Sequence, residues 1–299
     1  MDCVLVKFEG ELRSREKIIM ILLDFSQTMI GSFMAMGKGS VVVEEDLLRH
    51  TVLNTILGYK KTHRHIYDGG RGLVICCDSP KNWRKESFPE YKANRKTRRE
   101  NDTTDWKSLF QFLDEMIEDL RNYFPYKVMR VEGAEADDII AVLNDYVATN
   151  PTLIISSDKD FLQLQKYQGV SQWSPLTKDF VKGDPEASLW EKCIKGDTGD
   201  GVPNILSTDD TFVVPGKRQR PITTKKMELW KTDKNNWTQE MHRNFQRNKT
   251  MVDLSETPES IRINIINQFK DQRVQHGRLM DYFIEKRLKN LMEHIGDFE

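Results

Sequence analysis

Thr152–Leu164 reads TLIISSDKDFLQL, an apolar run that stops at two aspartates one residue apart, Asp158 and Asp160. Residues 152–155 are β-branched and aliphatic, too few for a helix and continuous enough for a strand buried on both faces. The pattern predicts a parallel strand with both acids just past its carboxyl end, where open α/β sheets place their ligands. Taken singly, SDKD reads more readily as an N-cap or Asx turn after Ser156 and Ser157. Recurrence of the arrangement elsewhere decides between the two.

Toward the N-terminus, IIMILLD at 18–24 ends in Asp24 and GLVICCD at 72–78 ends in Asp78. Between them Leu47, Leu48, Val52, Leu53, Ile56 and Leu57 recur at helical spacing, predicting a crossover helix that ends near Gly58. His63 and His65 follow among Lys and Arg and read as solvated. Leu109, Leu113, Met116 and Leu120 mark a helix over 106–124 closed by Pro125. Tyr126–Val131 alternate as a further strand and lead into EGAEADDIIAVL. On a helix beginning near Ala134, Glu135 and Asp138 share a face and Asp137 is offset, although acids near a helix start also suit the macrodipole.

Beyond the SDKD element, Gly169–Trp173 reads as a short edge strand. KGDTGDGVPNI at 195–205 reads as a compact turn carrying Asp197 and Asp200. Residues 207–226 read as an irregular, mobile loop, acidic at first and then basic through Lys217, Arg218, Arg220, Lys225 and Lys226. From Glu259 helical patterns return, the last placing Leu279, Phe283, Leu291, Met292 and Ile295 near an apolar face. The fold class expected is α/β, a central mostly parallel sheet flanked by helices over about 1–185, with a smaller helical region over 186–299.

The 299 residues suffice for a large core, and a formal charge of −1 with 38% hydrophobic and 30% charged residues describes a globular chain without a dominant field. No stretch approaches ~18 apolar residues and the N-terminus has no apolar leader, so neither membrane insertion nor secretion is expected, and a reducing cytoplasmic setting is. Cys3, Cys76, Cys77 and Cys193 lack zinc spacing, and the adjacent pair lies inside an apolar run, as buried thiols do.

Lys81–Arg99, KNWRKESFPEYKANRKTRR, holds eight bases (Lys81, Arg84, Lys85, Lys92, Arg95, Lys96, Arg98, Arg99) against Glu86 and Glu90, interleaved with Trp83, Phe88 and Tyr91. Neutralising phosphates while stacking unpaired bases on aromatics is what single-stranded nucleic acid requires, although a charge run is also compatible with a solvated helix face.

Asp24, Asp78, Glu135, Asp137, Asp138, Asp158, Asp160, Asp197 and Asp200 all follow strands or start helices at what would be one edge of a parallel sheet. Two unit charges ~4 Å apart repel by about 1 kcal/mol in water and about 4 kcal/mol at an effective dielectric of 20, so such a group needs cations. An all-oxygen donor set selects magnesium or manganese over zinc. A pair of such ions suits in-line displacement at a phosphodiester, with the bases of 81–99 gathering the polyanion above them.

LLDFSQ, VICCDSPKNWRKESFPEYKANR, EGAEADDIIAV, LIISSDKDFLQL and GDTGDGVPNI, in this order and spacing over about residues 18–206, resemble the structure-specific 5′-nuclease (flap endonuclease) family, most nearly its phage ribonuclease H members. The resemblance implies a PIN-like 5′-nuclease fold, a helical arch at about 80–102, and 5′ to 3′ exonuclease and flap endonuclease activity on RNA/DNA and DNA/DNA duplexes that removes RNA primers in lagging-strand replication. It implies two Mg2+ ions, replaceable by Mn2+: Asp24, Asp78, Glu135, Asp137 and Asp158 nearest the hydrolytic ion, and Asp160, Asp197 and Asp200 serving the second. Arg84, Lys92 and Arg95 would contact the scissile phosphate, and Tyr91 would stack on the 5′ strand. The GDTGD turn resembles the family's helix-turn-helix that grips duplex, often with K+. The sequence departs there, with Gly201 where Asn is usual and no Gly-rich hairpin in ILSTDDTFVV. By analogy the resemblance also implies a sliding clamp and a single-strand binding protein as partners of a monomer. The terminal helix with Phe283 reads as core packing or as their docking point, core being the commoner use of an apolar stripe. A second reading from the residues is a non-catalytic module that binds branched nucleic acid, which leaves acids beside phosphates unexplained.

Overall fold

Five strands pair in parallel into the centre of the molecule. The computed structural model describes residues 20–36, 43–64, 72–147, 151–233 and 235–299; Cys3 and His65 lie outside them. The strands are β1 (Met20–Asp24), β2 (Leu73–Cys76), β3 (Lys127–Met129), β4 (Thr152–Ile155), β5 (Val170–Ser174) and β6 (Asp179–Phe180). Their order is β3-β2-β1-β4-β5-β6, with only β6 antiparallel. The segment expected at the edge, β5, is instead paired on both sides, by β4 and by β6, because a turn after Ser174 folds β6 back onto Trp173.

The helices are α1 (Phe25–Ala35), α2 (Glu45–Thr62), α3 (Trp83–Ser87), α4 (Ala93–Glu100), α5 (Trp106–Tyr123), α6 (Ala136–Tyr146), α7 (Pro185–Lys195), α8 (Thr224–Thr232), α9 (Gln239–Val252), α10 (Glu259–Asp271), α11 (Leu279–Glu285), α12 (Lys289–Met292) and α13 (Ile295–Phe298). The crossover helix α2 runs through Gly58 to Thr62, beyond its expected end. Glycine costs a helix interior about 1 kcal/mol, and here the buried stripe continues past it through Lys60.

Strand periodicity sorts the core into two layers. Ile21, Leu23, Leu73, Ile75, Leu153 and Ile155 face α2, α5 and the terminal helices. Leu22, Val74, Cys76 and Ile154 face α6, α10 and Trp83. Both faces are covered, which is why these strands read as unbroken apolar runs. A third cluster of Ile194, Ile205, Met227, Trp230, Trp237 and Met241 holds the C-terminal helices together.

The expected single terminal helix is three short ones. Leu279, Tyr282, Phe283, Leu291 and Phe298 pack into the first layer, and Tyr126 Oη donates to the Phe298 carbonyl at 2.9 Å. His63, expected to be solvated, is buried edge-on against Trp173 with ring centroids 4.9 Å apart, because the end of α2 lies over β5. The described cysteines are buried thiols. Among the described residues no helix is long and apolar enough to cross a membrane.

Candidate metal centre and nucleic-acid cleft

β2 and β4 flank β1 on opposite sides, so the chain leaves the sheet in opposite directions at β1 and opens a crevice above its carboxyl end. A cleft of about 810 Å³ lies there, lined by Asp24, Asp78, Glu135, Asp137 and Asp158 together with Lys85, Lys92, Arg95, Lys96, Arg99 and Arg130.

Each acid is placed by an element end. Asp24 closes β1 and caps α1, accepting from Gln27 N–H at 3.1 Å, while Ser156 Oγ donates to its other oxygen at 3.1 Å. Asp78, just past β2, accepts from Ala136 N–H at 2.8 Å, which leaves its second oxygen toward the cleft. Asp158 caps the 3₁₀ turn after β4, accepting from Asp160 N–H at 2.9 Å. Gln172 donates to the carbonyls of Ser156 and Asp158 at 2.8 and 2.6 Å and so fixes this turn from β5.

The nine acids divide by what neutralises them. Burial, and then the charge of Asp78, pushes Asp24 up to about 7. Burial, followed by repulsion from Asp158 and Asp24, holds Asp137 well above the ordinary carboxylate value. Burial also raises Asp158, partly offset by Lys192. In these three, burial and mutual repulsion disfavour the charged carboxylate more than the nearby cations restore it, and a hard cation would relieve that.

Asp160, Asp197 and Asp200 lie around a smaller neighbouring hollow, and they already have cations. Lys192 of α7 bridges Asp160 and Asp197, the latter at 2.9 Å. Asp200 pairs with Arg95 and with Lys92 at 3.6 Å; burial would raise its pKa, but those two cations outweigh it and hold it low. Glu135 stands at the boundary, bonded to Lys92, to Arg84 at 3.1 Å and to Tyr91 Oη at 2.9 Å.

Among the described residues no three His, Cys, Asp or Glu side chains form a ready ligand cluster. Asp24, Asp78, Asp137 and Asp158 nevertheless line one cleft, and an all-oxygen donor set suits a hard divalent cation.

Three sequence-based assignments are corrected by burial. Asp138 is fully buried, accepting from Arg84 twice at 2.9 Å, from Trp83 Nε1 at 3.1 Å, from Thr257 Oγ1 at 2.8 Å and from its own helix start at 2.9 Å, so no lone pair faces the cleft. Its geometry is a capping box with Glu135. Arg84, 1% exposed, spends its guanidinium on Asp138, Glu135 and the Met251 carbonyl and cannot reach a phosphate. Tyr91, 3% exposed, points its hydroxyl at Glu135 and Asp200 and cannot stack on a strand. The aromatics interleaved with the bases thus serve the second core layer.

Lys85 and Lys96 are exposed on the cleft wall, while Lys81 is exposed and paired with Glu132. Lys92 adopts a left-handed backbone, φ 56°, and its N–H donates to the Asp200 carbonyl at 2.7 Å, tying the base of α4 to the 197–202 turn.

Lys192 and Arg130 were missed by sequence reasoning. Arg130 stands just past β3, so the rule that flagged the aspartates covers it, whereas nothing local marks Lys192, whose partner Asp160 is 32 positions away.

Residues 19–192 match the family described as 5′-3′ exonuclease, N-terminal resolvase-like domain, and residues 183–298 match the T4 RNase H C-terminal domain. Ribonuclease H of Enterobacteria phage T4 is 32% identical over 291 residues, 93% of this chain and 95% of that protein. Flap endonuclease Xni of Shewanella oneidensis is 31% identical over 134 residues, 41% of this chain and 48% of the relative. Among solved structures, the T5 D15 protein co-crystallised with metal ions superposes with a TM-score of 0.59 at 18% identity, over 91% of this chain and 98% of that one, a likeness of fold. The chain therefore belongs to the 5′-3′ exonuclease family, with a C-terminal region of the T4 ribonuclease H type.

Proposed function

We propose that this chain is a divalent-metal-dependent 5′ to 3′ exonuclease and flap endonuclease that hydrolyses phosphodiesters of RNA/DNA and DNA/DNA duplexes, removing RNA primers during lagging-strand replication. The observation that carries the reading is the unbalanced set Asp24, Asp137 and Asp158 facing a basic wall across one cleft. A site built only to bind a polyanion gains nothing from acids at its floor.

Asp24, Asp78, Asp137 and Asp158 would hold the first Mg2+ or Mn2+, with Glu135 at its border. Asp160, Asp197 and Asp200 would hold a second ion only by displacing Lys192, Lys92 or Arg95. When bound, the ions supply Lewis-acid stabilisation of the scissile phosphate and a water of lowered pKa. Gln27 and Ser156 orient Asp24. Lys85, Lys96 and, once released, Lys92 and Arg95 draw the phosphate chain across the acids. The 197–202 turn would contact duplex, but its K+ lacks support here, since Gly201 and the missing hairpin depart from the family pattern.

The test uses a 5′-labelled flap substrate with Mg2+, with EDTA, and with Asp158→Asn. Release in Mg2+ alone, lost in the other two, is expected. Tight binding with no release under any condition favours the branched-nucleic-acid binding module instead. A sliding clamp or single-strand binding protein would need a surface other than Phe283 and Phe298, both fully buried.

A further inference from the structure

We propose that Gln172, buried behind the cleft, is a positioning residue for the metal centre: from β5 it clamps the turn that carries Asp158 and so sets the reach of that carboxylate toward Asp24 and Asp137. This rests on the metal-dependent reading above. Asp24 ends β1 and Asp158 follows β4, its parallel neighbour, and the charge of Asp158 repels those of Asp24 and Asp137. Acids that repel one another move apart unless the backbone beneath them is held, so a tight ion site on this floor needs a scaffold.

Gln172 is 0% exposed and stands opposite Ile154 in the parallel β4–β5 pair. Its side chain reaches past the ladder: Nε2 donates at 2.8 Å to the Ser156 carbonyl and at 2.6 Å to the Asp158 carbonyl, on either side of Ser157. Carbonyls accept and never donate, so the amide presents its NH2 end to them, and Oε1 is left buried with no partner among the described residues. A buried acceptor without a partner opposes folding, and an apolar side chain of similar length would avoid that. What the amide supplies that such a side chain cannot is the pair of bonds across the turn.

The same strand holds the turn a second time. Ser174 Oγ donates to Ser157 Oγ at 2.9 Å, and Leu176 N–H, just past the strand, donates to the same oxygen at 3.0 Å. On the other side Gln27 of α1 accepts from Ser157 N–H, Ser156 Oγ donates to Asp24 at 3.1 Å, and Asp158 N–H donates to Ser156 Oγ at 3.1 Å. β5, VSQWS, has no acid of its own, yet its bonds lead to Asp158 directly and to Asp24 through Ser156. A turn fixed before the ion arrives need not be ordered by it, which favours binding.

The test compares the full chain with Gln172→Met, Ser174→Ala and Ser171→Ala. The last removes a β5-to-β4 bond at the far end of the strand, from Ser171 Oγ to the Thr152 carbonyl at 3.4 Å. Mn2+ uptake is measured by calorimetry without substrate, and flap release is followed against Mg2+ concentration. Gln172→Met should raise the Kd for Mn2+ about 10-fold or more, Ser174→Ala should raise it by a smaller factor, and Ser171→Ala should leave it unchanged. The Mg2+ concentration for half-maximal release should rise in step, while kcat at saturating Mg2+ returns to the wild-type value, because the bound ion then holds Asp158 in place of the clamp. Circular dichroism checks folding, and should Gln172→Met not fold, Ser174→Ala decides. Unchanged Mn2+ affinity in the folded variants, an equal loss in Ser171→Ala, or a kcat that stays low at saturating Mg2+ would overturn the proposal. A wild type that binds Mn2+ without releasing product sinks the nuclease reading and leaves the clamp to stand, whereas a wild type that takes up no ion sinks both.

Discussion

Asp24 and Asp200 belong to one group of acids yet have pKa values shifted in opposite directions, because Asp24 is buried near Asp78 whereas Asp200 is held between Lys92 and Arg95. For an acid raised from 3.8 to about 7, the metal-free native state binds more protons than the unfolded chain between those values, so stability falls as pH rises through that window. Thermal midpoints in EDTA should therefore drop from about pH 5 to pH 8, and Mg2+ should raise the midpoint more at pH 8 than at pH 5; an equal rise would remove the link between charge and metal. Lys192→Met should leave Asp160 and Asp197 unbalanced, and a Mn2+ titration by calorimetry should show a tighter second ion than in wild type. Arg84→Ala strands the buried Asp138 carboxylate, and breaking such a pair costs ~3–5 kcal/mol, visible in urea unfolding. Lys85→Ala and Lys96→Ala, both on the exposed wall, should weaken flap binding with stability unchanged.

At the scale of elements, the 196–202 turn joins the site to α4. Gly196 has φ 69°, and a Cβ there would lie 2.2 Å from the Val202 carbonyl oxygen. Gly196→Ala should thus break the Asp197–Val202 bridge, cost ~2 kcal/mol or more, and loosen the base of α4, read as faster hydrogen exchange at Lys92 and Asn94. The strand ends were legible because an apolar run buried on both faces gives way to polar or charged residues within a few positions of its end. The fates of Arg84 and Tyr91 were not legible: Arg84 of α3 turns inward onto Asp138, 54 residues away, and Tyr91 onto Glu135, 44 residues away, partners that no local pattern encodes.

For the whole molecule, α11–α13 return to the sheet and cover Phe124 and Tyr126 with Phe283 and Phe298. α10 likewise packs on α6. The expected division at 185/186 is a proposal that this packing opposes as a folding boundary. A fragment ending at residue 185 should expose both apolar layers and fail to unfold cooperatively by circular dichroism; a sharp two-state transition would restore the boundary.

The amino-acid order by itself determined the parallel strands and the acids at their carboxyl ends, and it raised the expectation of a hard cation from an all-oxygen donor set, since these follow from short-range periodicity and side-chain type. Only the tertiary structure decided which acids lack a cation and which bases are spent inside the protein. Those outcomes depend on charges and hydrogen-bond partners brought together from distant positions, and burial, which fixes their strength, exists only once the chain has folded.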